Sequence, residues 1–192
     1  DYFDFNFINN YINDNEGNTV IKTTIKLLSS IKPKSNVYFI NFEQLSRNNE
    51  INFIINSKSQ YNFNLADYSN ANIRLLKSKN IPKIFLFPYQ INQNEIYNFK
   101  KENDVTILGT ISDRRNKIYN KLKEGNIDIN YISGFGKQRD YKLFSSKILV
   151  NIHFNKDYNI FEEIRCNRCI FNKIIVITED SNELKNFYFR KY

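Results

Sequence analysis

VTILGTISDRRNKIYNKLKEGNIDINYISGFG, residues 105–136, carries the reading of the fold. Val105 to Leu108 is a continuous apolar run of strand length, closed by Gly109-Thr110. Ser112 is a good helix N-cap, Ile118 and Leu122 recur at helical spacing, and Gly125 ends the helix. Ile127 to Ile132 returns as a strand and runs into Gly134-Phe135-Gly136. Strand, helix, strand with apolar strands is the unit that builds parallel sheets covered on both faces.

The alternation continues downstream. The pattern predicts a helix from about Gln138 to Ser146 and a strong strand, ILVNIHF, from Ile148 to Phe154. A helix through Ile160, Ile164 and Phe171 follows, with Glu162 and Glu163 in its first turn, where the macrodipole favours acids. Ile174 to Thr178 (IIVIT) is the next strand, and Asp180-Ser181 starts a last helix. Upstream the alternation is shorter. Ile21, Ile25 and Leu28, with Pro33 after them, predict a helix over 19–31. Val37 to Phe42 (VYFINF) is a strand and Asn62 to Ala66 a weaker one. Ser69 caps a helix through Ile73, Leu75 and Leu76, and Ile84 to Phe87 is a strand stopped by Pro88. The polar residues 89–103 join the halves. The fold class is therefore α/β with two parallel-sheet lobes, a short one over 1–90 and a second over 91–192.

Composition bounds the function. The chain has 192 residues, 41% of them hydrophobic and 25% charged, which describes a globular chain of one ordinary domain or two small ones. Asn alone is roughly a sixth of the chain, and Ile, Lys, Tyr and Phe are abundant, a bias of A/T-rich codons that suits a giant virus, an intracellular parasite or a low-GC bacterium. No run of about 18 apolar residues exists, so no membrane span is expected. The acidic start, DYFDFNFINNYINDNE, is unlike a secretory or transit leader. These features together point to the cytoplasm (the host cytoplasm or the virion for a viral chain). One His and two Cys disfavour a metal site, and no metal is expected. Cys166 and Cys169 form a C-x-x-C inside a predicted helix and not at its start, so redox chemistry is disfavoured.

The net charge is +8, and the first sixteen residues hold four acids and no base, so the rest carries +12. Such a surface suits phosphate-bearing partners. Nucleic acid is the less favoured partner, because the aromatics sit in apolar runs and no helix-turn-helix, zinc-finger or RNP pattern is present.

In open parallel sheets, ligands sit beyond the carboxyl ends of the strands. That rule selects Gly109–Ser112, Gly134–Gly136, His153–Asn155 and Glu179–Ser181. Gly109, Thr110 and Ser112, ahead of a helix that holds Arg114 and Arg115, suit a diphosphate through backbone N–H groups and guanidinium charge. The alternative is an ordinary capped turn. Gly134, Phe135 and Gly136 form either a tight turn or a ligand-facing loop. His153, the only histidine, is either a satisfied strand-end residue or a ligand contact or general base. Glu162, Glu163 and Arg165 either cap a helix with a surface ion pair or hydrogen-bond sugar hydroxyls.

The succession LGTISDRRNKIYNKL, NYISGFGKQRD, KILVNIHF and IFEEIRCNRCIFNKIIVITED resembles the carboxyl-terminal half of glycosyltransferases of the GT-B fold. It is similar to small glycosyltransferase-like proteins of viruses and bacteria. LADYSNANIRLLKSKNIPKIFLFPYQ (65–90), with its D-x-S-x-x-N helix start, extends the resemblance to roughly residues 37–180. The resemblance implies two Rossmann-like lobes facing a cleft, the second binding a nucleotide-sugar and the first an acceptor: a glycan, a protein or a small molecule. It implies that Gly109, Thr110 and Ser112 lie near the diphosphate, that Arg114 or Arg115 adds charge, and that Glu162 or Glu163 faces the ribose or donor sugar. No cofactor beyond the nucleotide-sugar co-substrate is expected. His153 and Asp67 are the candidates for a catalytic base. The chain departs from many GT-B enzymes in having adjacent acids, Glu162-Glu163, where two glutamates seven residues apart are usual, and Asn172-Lys173-Ile174 where Gly-x-Pro is frequent. An inactive nucleotide- or sugar-binding protein on the same scaffold is the alternative to a transferase, and a basic nucleic-acid-binding protein the third reading.

Overall fold

The apolar runs pair as parallel strands in two separate four-stranded sheets. The computed structural model describes residues 19–22, 37–45, 48–88, 93–181 and 184. The chain divides into two compact units, residues 1–88 and 89–192.

The first unit runs β1 (Thr19–Lys22), β2 (Val37–Asn41), α1 (Asn48–Gln60), β3 (Asn64–Asp67), α2 (Asn70–Ser78) and β4 (Ile84–Leu86), with sheet order β1-β2-β3-β4. Phe39 stands opposite Leu65, and Ile40 opposite Ala66. Phe39 and Leu65 join Val37, Phe63, Ile51, Ile54 and Leu76 in the core. The Phe39 and Phe63 rings meet edge to face at 5.1 Å. The helix predicted over 19–31 is corrected at its start. Residues 19–22 form β1 beside β2, because Thr19, Val20 and Ile21 are β-branched and favour a pleated surface. The rest of that prediction lies outside the described residues. Helix α1 was not legible, since its sequence, NNEINFIINSKSQ, is rich in Asn and Ser, which favour caps and turns over helix interiors. Tertiary burial of Ile51, Ile54 and Ser57 at three-residue spacing decides it.

The second unit runs β5 (Asn103–Leu108), α3 (Asp113–Glu124), β6 (Ile129–Ile132), α4 (Lys137–Phe144), β7 (Ser146–Asn151), α5 (Glu163–Phe171) and β8 (Ile175–Thr178), with sheet order β6-β5-β7-β8. Successive side chains of a strand face opposite sides. Ile107 and Ile129 pack with Ile118 and Leu122 of α3 on one face. Leu108, Ile132 and Leu149 pack with Leu143, Phe144 and Cys169 of α4 and α5 on the other. This is a doubly wound, Rossmann-like α/β layer structure. Several predicted ends shift: Ser146 opens β7 instead of ending α4, β7 stops at Asn151 so that His153 lies in the following loop, and β6 starts at Ile129. The last helix predicted from Asp180-Ser181 falls largely outside the described residues. The polar connector is not a free tether at its distal end, because Tyr97 and Phe99 stack at 5.0 Å and Tyr97 stacks on Phe144 at 4.9 Å. Asn172 clamps the same segment, accepting from the Tyr97 N–H at 2.7 Å and donating to the Glu95 carbonyl at 2.8 Å.

Three helices leave by the same device. After α2, α3 and α5 come Asn80, Asn126 and Lys173 at φ of 59°, 57° and 58°, each followed by an isoleucine. Ile81, Ile127 and Ile174 donate their N–H groups back to Leu76, Leu122 and Cys169 at 3.2, 3.1 and 3.0 Å. Asn80, Asn126 and Lys173 likewise donate to the carbonyls of Lys77, Lys123 and Ile170. These are Schellman exits, which satisfy the last carbonyls of a helix and seat an apolar residue against its final turn. Asn tolerates the left-handed region, whereas Lys173 carries a Cβ penalty there with no compensating local polar group. Lys173→Gly is therefore expected to raise stability by about 0.5–1 kcal/mol in urea denaturation. Ile174→Ala, which empties a site 3% exposed, is expected to lower it by about 2–4 kcal/mol.

Candidate functional site

In the second sheet, β6 and β7 lie on opposite sides of β5, so the chain reverses direction across the sheet between β5 and β7. The carboxyl ends of those two strands are the place where doubly wound sheets open toward a ligand. The loops there are Gly109–Ser112 after β5 and the segment from Ile152 after β7.

Arg115 ties the two loops together. It is 2% exposed, and its Nε donates to the Ile152 carbonyl at 2.9 Å while Nη1 donates to the Thr110 carbonyl at 2.9 Å. Its Nη2 lies 3.9 Å from the Glu162 carboxylate. Burial pulls its pKa below the usual value, Arg165 adds to that, and Glu162 opposes it. Gly109 is needed at φ +142°, and a Cβ there would collide with the Arg115 guanidinium. The glycine thus makes room for an internal side chain. Substituting it would disturb the fold together with any ligand contact.

Arg114 reaches the other way. It pairs with Glu179 through two hydrogen bonds, the Nη1 one at 2.7 Å, and also donates to the His153 carbonyl at 3.3 Å. The hydrogen bond to Glu179 holds the Arg114 pKa up. Burial alone would raise the Glu179 pKa, but Arg114 and the His153 N–H, which donates to Glu179 at 2.7 Å, outweigh it and leave the carboxyl below its ordinary value. Ser112 completes the staple: its hydroxyl donates to the Phe154 carbonyl at 3.1 Å and accepts the Arg115 N–H at 3.3 Å. Glu162 receives Arg165 at 2.7 Å, and Arg165 also donates to Asn151 at 3.0 Å.

The structure thus brings Gly109, Thr110, Ser112, Arg114, Arg115, His153, Glu162 and Arg165 to one edge, with Glu179 and Asn151 added. Arg114, Arg115 and Arg165 against Glu162 and Glu179 leave an excess of one positive charge among these five groups. Sequence reasoning marked the Glu179 segment by strand position but missed its role. The available signal was an acid ending β8 opposite two arginines opening α3. Glu163 starts α5 and accepts from Asn167 at 3.4 Å. Gly134, Phe135 and Gly136 follow β6 at the same edge, the two glycines at φ +88° and +90°.

His153 differs from its neighbours. It is 5% exposed, and neither ring nitrogen has a hydrogen-bond partner among the described residues. The Ser181 hydroxyl, after β8, is 4% exposed and likewise unpartnered. A buried polar group without a partner costs free energy, so each one calls for a physical reason to be there.

Asp67 lies in the first unit, where it is fully buried. Its carboxylate accepts from the Ser69 N–H at 2.8 Å, from Asn41 at 2.6 Å and from Asn72 at 3.0 Å. The Asp67, Ser69 and Asn72 of the D-x-S-x-x-N stretch therefore fasten α2 to the carboxyl ends of β2 and β3. Cys166 and Cys169 are both buried in α5. Burial pushes the Cys166 thiol well up and that of Cys169 to about 12. Among the described residues no cluster of three or more His, Cys, Asp or Glu could hold a metal, and no helix is long and apolar enough to cross a membrane.

The chain has relatives in a giant virus. It is 35% identical over 160 residues to uncharacterized protein L140 of Acanthamoeba polyphaga mimivirus, a match that covers 79% of this chain and 51% of the relative. Uncharacterized protein R358 of the same virus is 32% identical over 148 residues, covering 76% and 50%. Uncharacterized protein L138, also of that virus, is 33% identical over 159 residues, covering 78% and 18%. The chain thus spans about half the length of two of these relatives and under a fifth of the third. No family model and no solved structure matches.

Two outcomes test the site's chemistry. Because the folded pKa of Glu179 is depressed, its pair contributes stability above the unfolded carboxylate value of 4.5, lost as pH falls through the folded value. Glu179→Gln is therefore expected to flatten the acid limb of a stability-against-pH curve below about pH 4.5 and to lower stability at neutral pH. Iodoacetamide at pH 8 is expected to leave both cysteines unmodified in the native protein and to label both in urea, since the thiolate is the nucleophile.

Proposed function

We propose that the second unit is the nucleotide-sugar-binding domain of a metal-independent glycosyltransferase of the GT-B type, with the acceptor taken through the first unit. The observation that carries this reading is His153: a buried imidazole with two unpartnered nitrogens, beside the strand reversal of a doubly wound sheet. The excess positive charge at that edge and the order of motifs, from LGTISDRR to IIVITED, support it. Transfer breaks the bond between the anomeric carbon and the diphosphate oxygen and forms one to an acceptor hydroxyl, whose proton passes to a base. Between the two candidate bases the geometry favours His153, because the Asp67 carboxylate is spent on internal hydrogen bonds. Charge on the departing diphosphate is met by backbone N–H groups at the start of α3 and by the guanidinium field.

A second reading, a binding protein without transferase activity, is favoured by one specific feature. Arg114 and Arg115 are both engaged within the protein, by Glu179 and by backbone carbonyls, so neither offers a whole guanidinium to a diphosphate.

Thermal unfolding against UDP-, GDP-, ADP- and TDP-sugars tests both. A ligand at about a hundred times its Kd is expected to add about 2.7 kcal/mol of stability. His153→Leu is expected to leave the free protein as stable or more so, by removing a buried unpartnered group, and to diminish the ligand-induced shift. Stabilisation with release of the nucleotide in the presence of acceptors supports transfer, and stabilisation without turnover supports the binding protein. No shift with any of the four at millimolar concentration would overturn the nucleotide-sugar reading.

A further inference from the structure

Phe135 is 93% exposed. A large aromatic ring held in water forgoes the gain of burial, and this one stands at the carboxyl edge of the second sheet, where the ligand loops converge. Its loop is tied to the loop after β5: the Gly109 N–H donates to the Ile132 carbonyl at 3.0 Å, and the Tyr131 hydroxyl donates to the Thr110 carbonyl at 3.1 Å. Gly134 and Gly136 flank the ring at φ +88° and +90°, with no atom within 4 Å of where a Cβ would stand on either. Their glycine identity answers to backbone direction and not to crowding. The Arg139 guanidinium lies 5.9 Å from the ring centroid and is itself held by Asp140. That contact steadies the ring without covering it.

We propose that Phe135 is the platform on which the flat heterocyclic base of a nucleotide stacks. The inference rests on the nucleotide reading of the site and adds what that reading lacks, an anchor for the base. On that reading, phosphate charge meets the field of the engaged guanidinium groups and backbone N–H groups at the start of α3, and neither offers an apolar plane. An exposed aromatic face does, and stacking tolerates any base because every base has a π-face.

The chain contains no tryptophan, so Phe135→Trp places a single indole at the platform. Its emission is expected to change saturably on titration with UDP, GDP or ADP and to stay constant with inorganic pyrophosphate or a sugar 1-phosphate. Calorimetry is expected to show Phe135→Ala binding the same nucleotide about 5- to 100-fold more weakly, Phe135→Tyr binding it normally, and all three variants unfolding at the parent's temperature. Nucleotide binding by the parent that survives Phe135→Ala undiminished would overturn the platform while leaving the nucleotide reading intact. So would an indole that answers to sugar 1-phosphates and not to nucleotides. Absence of nucleotide binding by the parent would overturn both.

Discussion

A guanidinium taken out of water must have its N–H groups met by acceptors fixed in advance. Arg115 satisfies that demand with the Ile152 and Thr110 carbonyls and a nearby carboxylate, Glu162. Each acceptor lies on a different segment at the carboxyl edge: the loop after β7, the loop after β5, and the start of α5. The charge therefore fixes the relative positions of three segments that no hydrogen-bonded ladder joins. Gly109 is glycine because of it, and Ser112 and Arg114 extend the same staple to Phe154, His153 and Glu179. Removing the guanidinium alone would leave the Ile152 and Thr110 carbonyls without their donor, while Glu162 keeps Arg165 at 2.7 Å, so the cost of a lone deletion falls on the two carbonyls.

This arrangement changes what the basic residues mean. Read from sequence, Arg114 and Arg115 at the head of a helix look like charge waiting for a phosphate. Folded, they are structural cations whose field still reaches the edge but whose donors are largely spent. Among the described residues that follow β7 and β8 at this edge, His153 and the Ser181 hydroxyl are buried without a hydrogen-bond partner. On the proposed reading, the weight therefore passes from the conspicuous pair to a single inconspicuous ring, together with backbone N–H groups and an exposed aromatic.

Strand identity was legible wherever apolar runs were short and bounded, as at Val37, Ile84, Val105 and Ile148, and the caps at Ser69 and Ser112 were legible because their hydroxyls have one good use. Helix α1 was not, because its Asn and Ser residues argue against a helix locally and only burial of Ile51 and Ile54 against the sheet overrides them. The spacing of Ile21, Ile25 and Leu28 misled at 19–22, since a helical period can arise by chance among β-branched residues that pair as a strand. Position along the chain placed Gly109–Ser112, Gly134–Gly136 and Glu179 after strand ends, but partner choice was hidden. That Arg114 would meet Glu179, 65 residues away, depends on strand order, which local sequence does not carry.

The repeated exits at Asn80, Asn126 and Lys173 have a consequence for how such a chain can change. They govern part of the amino-terminal rim of the strands, where α2, α3 and α5 hand over to β4, β6 and β8 by a rule contained in their own last turns. The opposite rim has no such rule; its loops are irregular and carry the polar and aromatic groups. A chain rich in Asn, Lys and Ile has at hand the residues the first rim uses, Asn80, Asn126 and Lys173 in the left-handed region, each followed by an isoleucine. The helix exits and the irregular loops thus lie on opposite margins of their sheets, so substitutions that reinforce one margin leave the other free to change.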